Sequence, residues 1–154
     1  MESYVDNNLI KGEKVVYKGV IHWLIYALPI FKAIISLIFA LSVDNGFLKF
    51  VFATAVVYFI VKAVQYYIYT ITTEFVITNK RVIAKFGLIK RITAELNHNQ
   101  LESVNVDQSI IERMFNAGSL IMQGTGGNKT PIIGVDSPLE FRKKAMEITD
   151  KNSK

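Results

Sequence analysis

Five basic residues crowd one short stretch, TTEFVITNKRVIAKFGLIKR, from Thr72 to Arg91: Lys80, Arg81, Lys85, Lys90 and Arg91. Ammonium and guanidinium groups on neighbouring strands can meet lipid phosphates or the carboxylates of a partner. Near an anionic membrane surface each such charge adds about 1 kcal/mol of attraction. The same positions also suit plain outward-facing strand residues, where lysines blunt a sheet against aggregation. Two more cations, Lys32 and Lys62, interrupt otherwise apolar stretches. Charge in an apolar setting is costly enough to need a reason. The simplest is that both side chains snorkel to headgroups. A cationic pocket for a lipid phosphate or a partner's carboxylate is the sharper reading, and buried helices of a soluble fold a third.

Other chemistry has little to build with. The 154 residues hold no cysteine and only two histidines, His22 and His98. Disulfide and thiolate chemistry are excluded, and no metal-ligand cluster, nucleophile elbow or paired-carboxylate signature stands out. Glu95, Glu102 and Asp107 are explained by strand alternation. Gly124–Lys129, GTGGNK, lacks the spacing of a phosphate-binding P-loop and reads as a hairpin loop. The chain is therefore expected to be no enzyme and to carry no cofactor and no metal. Its net charge of +5 beside apolar segments points to anionic lipid, and without a nucleic-acid motif it does not point to nucleic acid.

The elements that must position these residues fall into two halves. Leu24–Val43 and Phe47–Tyr69 are apolar runs of about 20 residues, roughly 30 Å as helix, the thickness of a bilayer core. Only Asp44-Asn45-Gly46 separates them, so they are expected to form an antiparallel transmembrane hairpin (24–43 and 47–69). Lys11, Lys14 and Lys18 precede it, and the five-residue basic cluster follows it. The positive-inside rule puts both termini in the cytoplasm, a multi-pass placement in the cytoplasmic (inner) membrane. Trp23, Tyr26, Tyr66, Tyr67 and Tyr69 would form an aromatic belt at that interface. Pro29 is placed to kink the first span.

After Tyr69 the hydrophobic period changes to that of strands. Glu74–Thr78 and Arg81–Phe86 flank a tight Asn79-Lys80 turn; Gly87-Leu88 is a second turn. Lys90–Leu96, Leu101–Gln108, Ser119–Thr125 and Pro131–Val135 read as further strands of one antiparallel meander. Ser109 with Glu112, and Ser137 with Glu140, have capping-box spacing and start two helices. Phe141, Ala145 and Ile148 share one face of the second, fit to dock on the sheet. Domain bounds follow: a cytoplasmic N-terminal segment (1–23), the hairpin (24–69), a β-domain (70–149) and a polar tail (150–154). Glu13–Trp23 has strand-like composition; it either pairs with the sheet or stands apart from it.

A curved meander closed by a C-terminal helix is the plan of a PH-like domain. The residues T-N-K-R-V-I at 78–83, F-G-L-I at 86–89, and Val104, Val106, Gln108, Ser109 and Arg113 carry the resemblance. With S-P-L-E-F-R at 137–142, the ordered set resembles the second bacterial PH family, with its YdbS-like membrane proteins. Family members often carry two membrane helices just before the domain. The family's I-P-L strand end is replaced here by ELNHNQL. The resemblance implies an α+β PH-like fold: a curved antiparallel sheet or partly open barrel with a C-terminal helix. It marks Gln108 and Arg113 as family-motif positions, although Arg113 serves equally as a structural brace.

It also implies a membrane-anchored binding or scaffold module at the cytoplasmic face, docking a protein partner or anionic lipid, in envelope maintenance by analogy. Membrane lipid and a protein partner or a second copy of the chain (a homo-oligomer) are the expected partners. The candidate binding residues are Lys80, Arg81, Lys85, Lys90, Arg91, Lys32 and Lys62. The alternative is an oligomeric pore or transport component in which Lys32 and Lys62 line an aqueous path.

Overall fold

In chain order the elements of the computed structural model, which describes residues 4–87 and 91–152, are these: α1 (Tyr4–Asn7), β1 (Val15–Gly19), α2 (Leu24–Ser42), α3 (Gly46–Thr72), β2 (Glu74–Thr78), β3 (Arg81–Phe86), β4 (Ile92–Asn97), a 3-10 turn (His98–Gln100), β5 (Leu101–Asp107), α4 (Ile110–Met114), β6 (Ala117–Gly124), β7 (Lys129–Asp136) and α5 (Pro138–Asn152). Leu88, Ile89 and Lys90 lie outside the described residues, and with them part of the F-G-L-I motif, the Gly87-Leu88 turn and the start of the strand expected at Lys90. Two compact units result. One comprises Met1–His22 and Thr72–Lys154, the other Trp23–Ile71.

The first unit holds two antiparallel sheets, β1-β2-β3-β4 and β5-β6-β7. The single meander expected from strand spacing is thus broken in two. The 3-10 turn at His98–Gln100 divides β4 from β5, and the pairing of β5 slips between Leu101 and Ser103. His98 is buried there, its Nε2 2.8 Å from the Thr78 carbonyl and its Nδ1 3.4 Å from the Thr149 hydroxyl. The sheets do not close into a continuous barrel among the described residues. Their edges meet in a bridge between Ile21 and Val135. Beside it the Asp136 N–H donates to the Val20 carbonyl at 2.8 Å and the His22 N–H to the Gly134 carbonyl at 2.6 Å.

Local chemistry explains the turns. The Thr78 hydroxyl accepts the N–H groups of Lys80 (3.1 Å) and Arg81 (3.0 Å), which folds the chain back between β2 and β3. Ser109 and Glu112 form a reciprocal capping box at α4. Ser137 behaves differently: its φ of +50° is far from the extended backbone of an N-cap, and its hydroxyl accepts from Asn116 Nδ2 at 2.9 Å. Phe141 and Ala145 of α5 are fully buried. The Phe141 ring lies 5.3 Å from Phe75 and edge-on to Tyr17 at 5.9 Å.

β2 and β3 do not alternate between buried and exposed positions, because both faces are covered. Val5 of α1 packs with Val76 and Ile83, and Leu9 adds to that cluster. Phe75, Ile77, Val82 and Ala84 are buried as well.

The first strand closes the edge of the larger sheet, with Gly19 opposite Phe75. A Cβ at Gly19 would lie 1.9 Å from Phe75 Cε2. That ring is fully buried and has nowhere to go. Gly19→Val is expected to destabilise this unit by at least about 1–3 kcal/mol through overpacking. Faster amide exchange in β1 and β2 would show it; unchanged protection would remove the constraint placed on Gly19.

The second unit is a helical hairpin. Tyr26 meets Tyr67 edge-on at 5.9 Å, and Phe39 stacks on Phe52 at 5.4 Å, which fixes α2 and α3 as antiparallel. Pro29, Ala33, Ser36 and Ala40 form the buried stripe of α2, and Ala63 is buried on α3. Small residues at such a seam let two helices approach closely. Asn45 starts α3, its Oδ1 accepting the N–H groups of Phe47 (3.0 Å) and Leu48 (3.2 Å). Helix α2 runs unbroken through Pro29. Both helices, of 19 and 27 residues, are long and apolar enough to cross a membrane. Phe31, Leu41, Phe47, Phe50 and Val57 face outward.

Candidate functional site: a basic depression on the PH-like unit

The five clustered cations do not form one patch. Lys80 and Arg81 follow the β2–β3 turn, whereas Lys85 pairs with Glu74 at the far end of the same two strands. Arg91 directly precedes β4, whose first residue, Ile92, is opposite Phe86. The strands thus carry two cations to each end of the sheet, and Lys90 is outside the described residues.

At the turn end the guanidinium of Arg81 is committed inside the fold. Its Nε and Nη2 donate to the two oxygens of Glu13 at 3.0 and 3.1 Å. Nη1 reaches Glu95 at 2.5 Å, and Nη2 also meets the Asn8 carbonyl at 3.0 Å. Burial pushes the Glu13 carboxyl up, but the hydrogen bonds from Arg81, the Ile10 amide and the Thr78 hydroxyl outweigh it and hold the group below its ordinary range. The bonds to Glu13 push Arg81 the other way, further above its usual value, against the opposing effect of burial. This arrangement braces the sheet. Lys80 is exposed, with Nζ donating to the Lys11 carbonyl at 2.9 Å.

At the other end Lys85 and Arg91 line a half-open depression of about 500 Å3 together with Tyr4, Asn7 and Asn8. Lys85 Nζ lies 3.7 Å from Glu74 and 6.0 Å from the centre of the Tyr4 ring. Arg91 is exposed. Two cations beside two amide side chains can accept an anionic group of headgroup size. The N-terminal contribution of Tyr4, Asn7 and Asn8 was not foreseen. Its signal is Val5 and Leu9, four apart, an apolar pair that anchors α1 on the sheet.

The remaining candidates lie apart from this depression. Gln108 is a brace, its Nε2 donating to the Ala117 carbonyl at 2.6 Å. Arg113 is exposed on α4. In the hairpin, Lys32 Nζ sits 6.0 Å from the centre of the Phe59 ring, and Lys62 Nζ 5.9 Å from that of Tyr58. The helix register set by the Tyr26–Tyr67 and Phe39–Phe52 contacts puts the two lysines at levels about half a turn apart.

A sequence profile described as the bacterial PH domain matches residues 23–148. The chain belongs to the bacterial PH domain family. The match begins at Trp23, so in this bacterial PH domain the two apolar helices lie within the matched region and β1 lies upstream of it. Comparison with curated proteins and with solved structures gave no match. PH-like domains are binding modules for lipids or proteins and are generally non-catalytic.

Proposed function

We propose that this bacterial PH domain is a membrane-anchored docking module at the cytoplasmic face, held there by α2 and α3. In this reading its Lys85–Arg91 depression receives an anionic group, presented by lipid or by an acidic segment of a protein partner. One observation carries the reading: the apolar hairpin is spliced between β1 and β2, at the strand ends that also bear Lys85. Gly19 and Phe75 are paired neighbours, so the chain leaves and re-enters the sheet side by side. Glu74, next to Phe75, is itself opposite Lys85.

Site-specific photo-crosslinking in intact membranes tests this. A photoreactive residue at Arg91 is expected to give a discrete lipid or protein adduct, and the same probe at Lys80 none. Neutralising Lys85 (Lys85→Gln) should weaken the Arg91 adduct about five-fold, from roughly 1 kcal/mol per charge. Equal labelling from Arg91 and Lys80, or none from either, would sink the assignment of the depression.

A further inference from the structure

The least expected surface of the sheet unit is α4. No residue of this helix is buried. Ile110 is 83% exposed and Met114 78%, with Ile111 and Phe115 about half exposed, so four large apolar side chains in six positions face solvent. A concentrated apolar patch on a protein surface marks a contact site. The question is what covers it.

Strand pairing supplies the answer. Ala117, just after α4, is opposite Asp136 of β7. Asp136 is hydrogen-bonded on its other side to Val20, where the chain leaves the sheet toward α2. The Ser137 N–H donates to the Asn116 carbonyl at 2.8 Å and ties the end of α4 to the same junction. The root of α4 is therefore two strand spacings, about 10 Å, from the exit of the chain. Helix α2 begins at Leu24, two residues after His22, and α3 ends at Thr72, two residues before β2 begins at Glu74. Two residues of chain span at most about 7 Å. The chain therefore runs from this end of the sheet unit into each apolar helix within two residues. Arg113 is exposed within the apolar set, a cation placed for anionic phosphates.

We infer that α4 inserts Ile110, Ile111, Met114 and Phe115 into the interfacial layer of the bilayer, with Arg113 at the level of the phosphates. This rests on the reading that α2 and α3 span that bilayer. The insertion is a third attachment, separate from the two spans. It fixes the tilt of the sheet unit, which two short connections alone leave free.

The absence of cysteine makes the test clean, since each introduced thiol is the only label site. The full chain is reconstituted in vesicles of phosphatidylethanolamine and phosphatidylglycerol. Bimane is attached in separate variants to Met114→Cys, Leu41→Cys and Asn128→Cys, and nitroxide-bearing lipids act as quenchers. Leu41 lies near the hairpin turn, and Asn128 in the β6–β7 turn. A probe at Met114 is expected to lose about half its fluorescence to a nitroxide near the headgroup, as a side chain about 5–10 Å into the interface should. Asn128 should lose none, and Leu41 should be quenched whenever the hairpin spans. Quenching at Leu41 without quenching at Met114 overturns the insertion alone and leaves α4 to a protein partner. No quenching at Leu41 overturns the spanning reading, and the insertion falls with it.

Discussion

Glu13→Ala should cost the sheet unit about 3–5 kcal/mol, the usual loss when one partner of a buried ion pair is removed. The carboxylate is fully enclosed and accepts from Arg81 Nε and Nη2, from the Thr78 hydroxyl at 2.8 Å and from the Ile10 amide at 2.8 Å. Removing it strands a guanidinium that is itself nearly buried and frees the segment that leads into β1. Exchange of the β2 and β3 amides in the detergent-solubilised chain would read the loss residue by residue.

The same contact sets an acid limit. Because the folded state holds Glu13 below the ordinary 4.5 of a glutamate, its contribution is complete above that pH and is lost as the pH falls through the lower, folded value. Arg81, pushed up rather than down, stays charged throughout and adds no slope of its own. Glu13→Gln should therefore be less stable than the parent at neutral pH, and the gap should narrow below about pH 4.5. A gap that is constant with pH would mean that the glutamate's charge contributes nothing.

Excising Trp23–Ile71 and joining His22 to Thr72 by a flexible glycine-serine linker is expected to move the protein from the membrane fraction to the soluble one with its sheets intact. The sheet unit owns its core: Phe75, Ile77, Leu120, Ile132 and Phe141 are buried, and all belong to it. Keeping Val20, Ile21 and His22 preserves the hydrogen bonds to Gly134 and Asp136 that join the two sheets. A shorter connection also lowers the entropic cost of closing β1 onto β2, by about 0.6 kcal/mol for each halving of its length. Size-exclusion chromatography and a sheet-dominated circular dichroism spectrum would check the result. An insoluble product that keeps no protected amides would show that the unit depends on its hairpin.

Much of this was readable from residue order because it is local. The Thr78 turn, the Ser109–Glu112 box, the three-residue link between the apolar helices and the Phe141–Ala145 face each lie within a few positions of chain. What stayed hidden depends on contacts distant in sequence. Arg81 looks like a surface cation until Glu13, far upstream, closes on it. Lys80 and Lys85 look like members of one cluster until the turn sends them to opposite ends of a hairpin. The apolar run in β2 reads as one-sided until α1 covers the second face. Ser137 has the spacing of a cap, yet its backbone is set by the junction with Asn116 and Asp136.

The pairing of Gly19 with Phe75 also sets an order of events during synthesis. β1 leaves the ribosome first, but its partner follows only after everything from Val20 to Glu74 has been made. At common elongation rates that interval is about 3–11 s, long compared with the microseconds in which a hairpin of adjacent strands forms. Throughout it, Val15 and Val16 sit on an unpaired edge, with α2 and α3 being made next. The larger sheet can be completed only after both helices exist, so a chain stalled within α3 presents β1 as an open edge. Completion of β2 is the step that hides it.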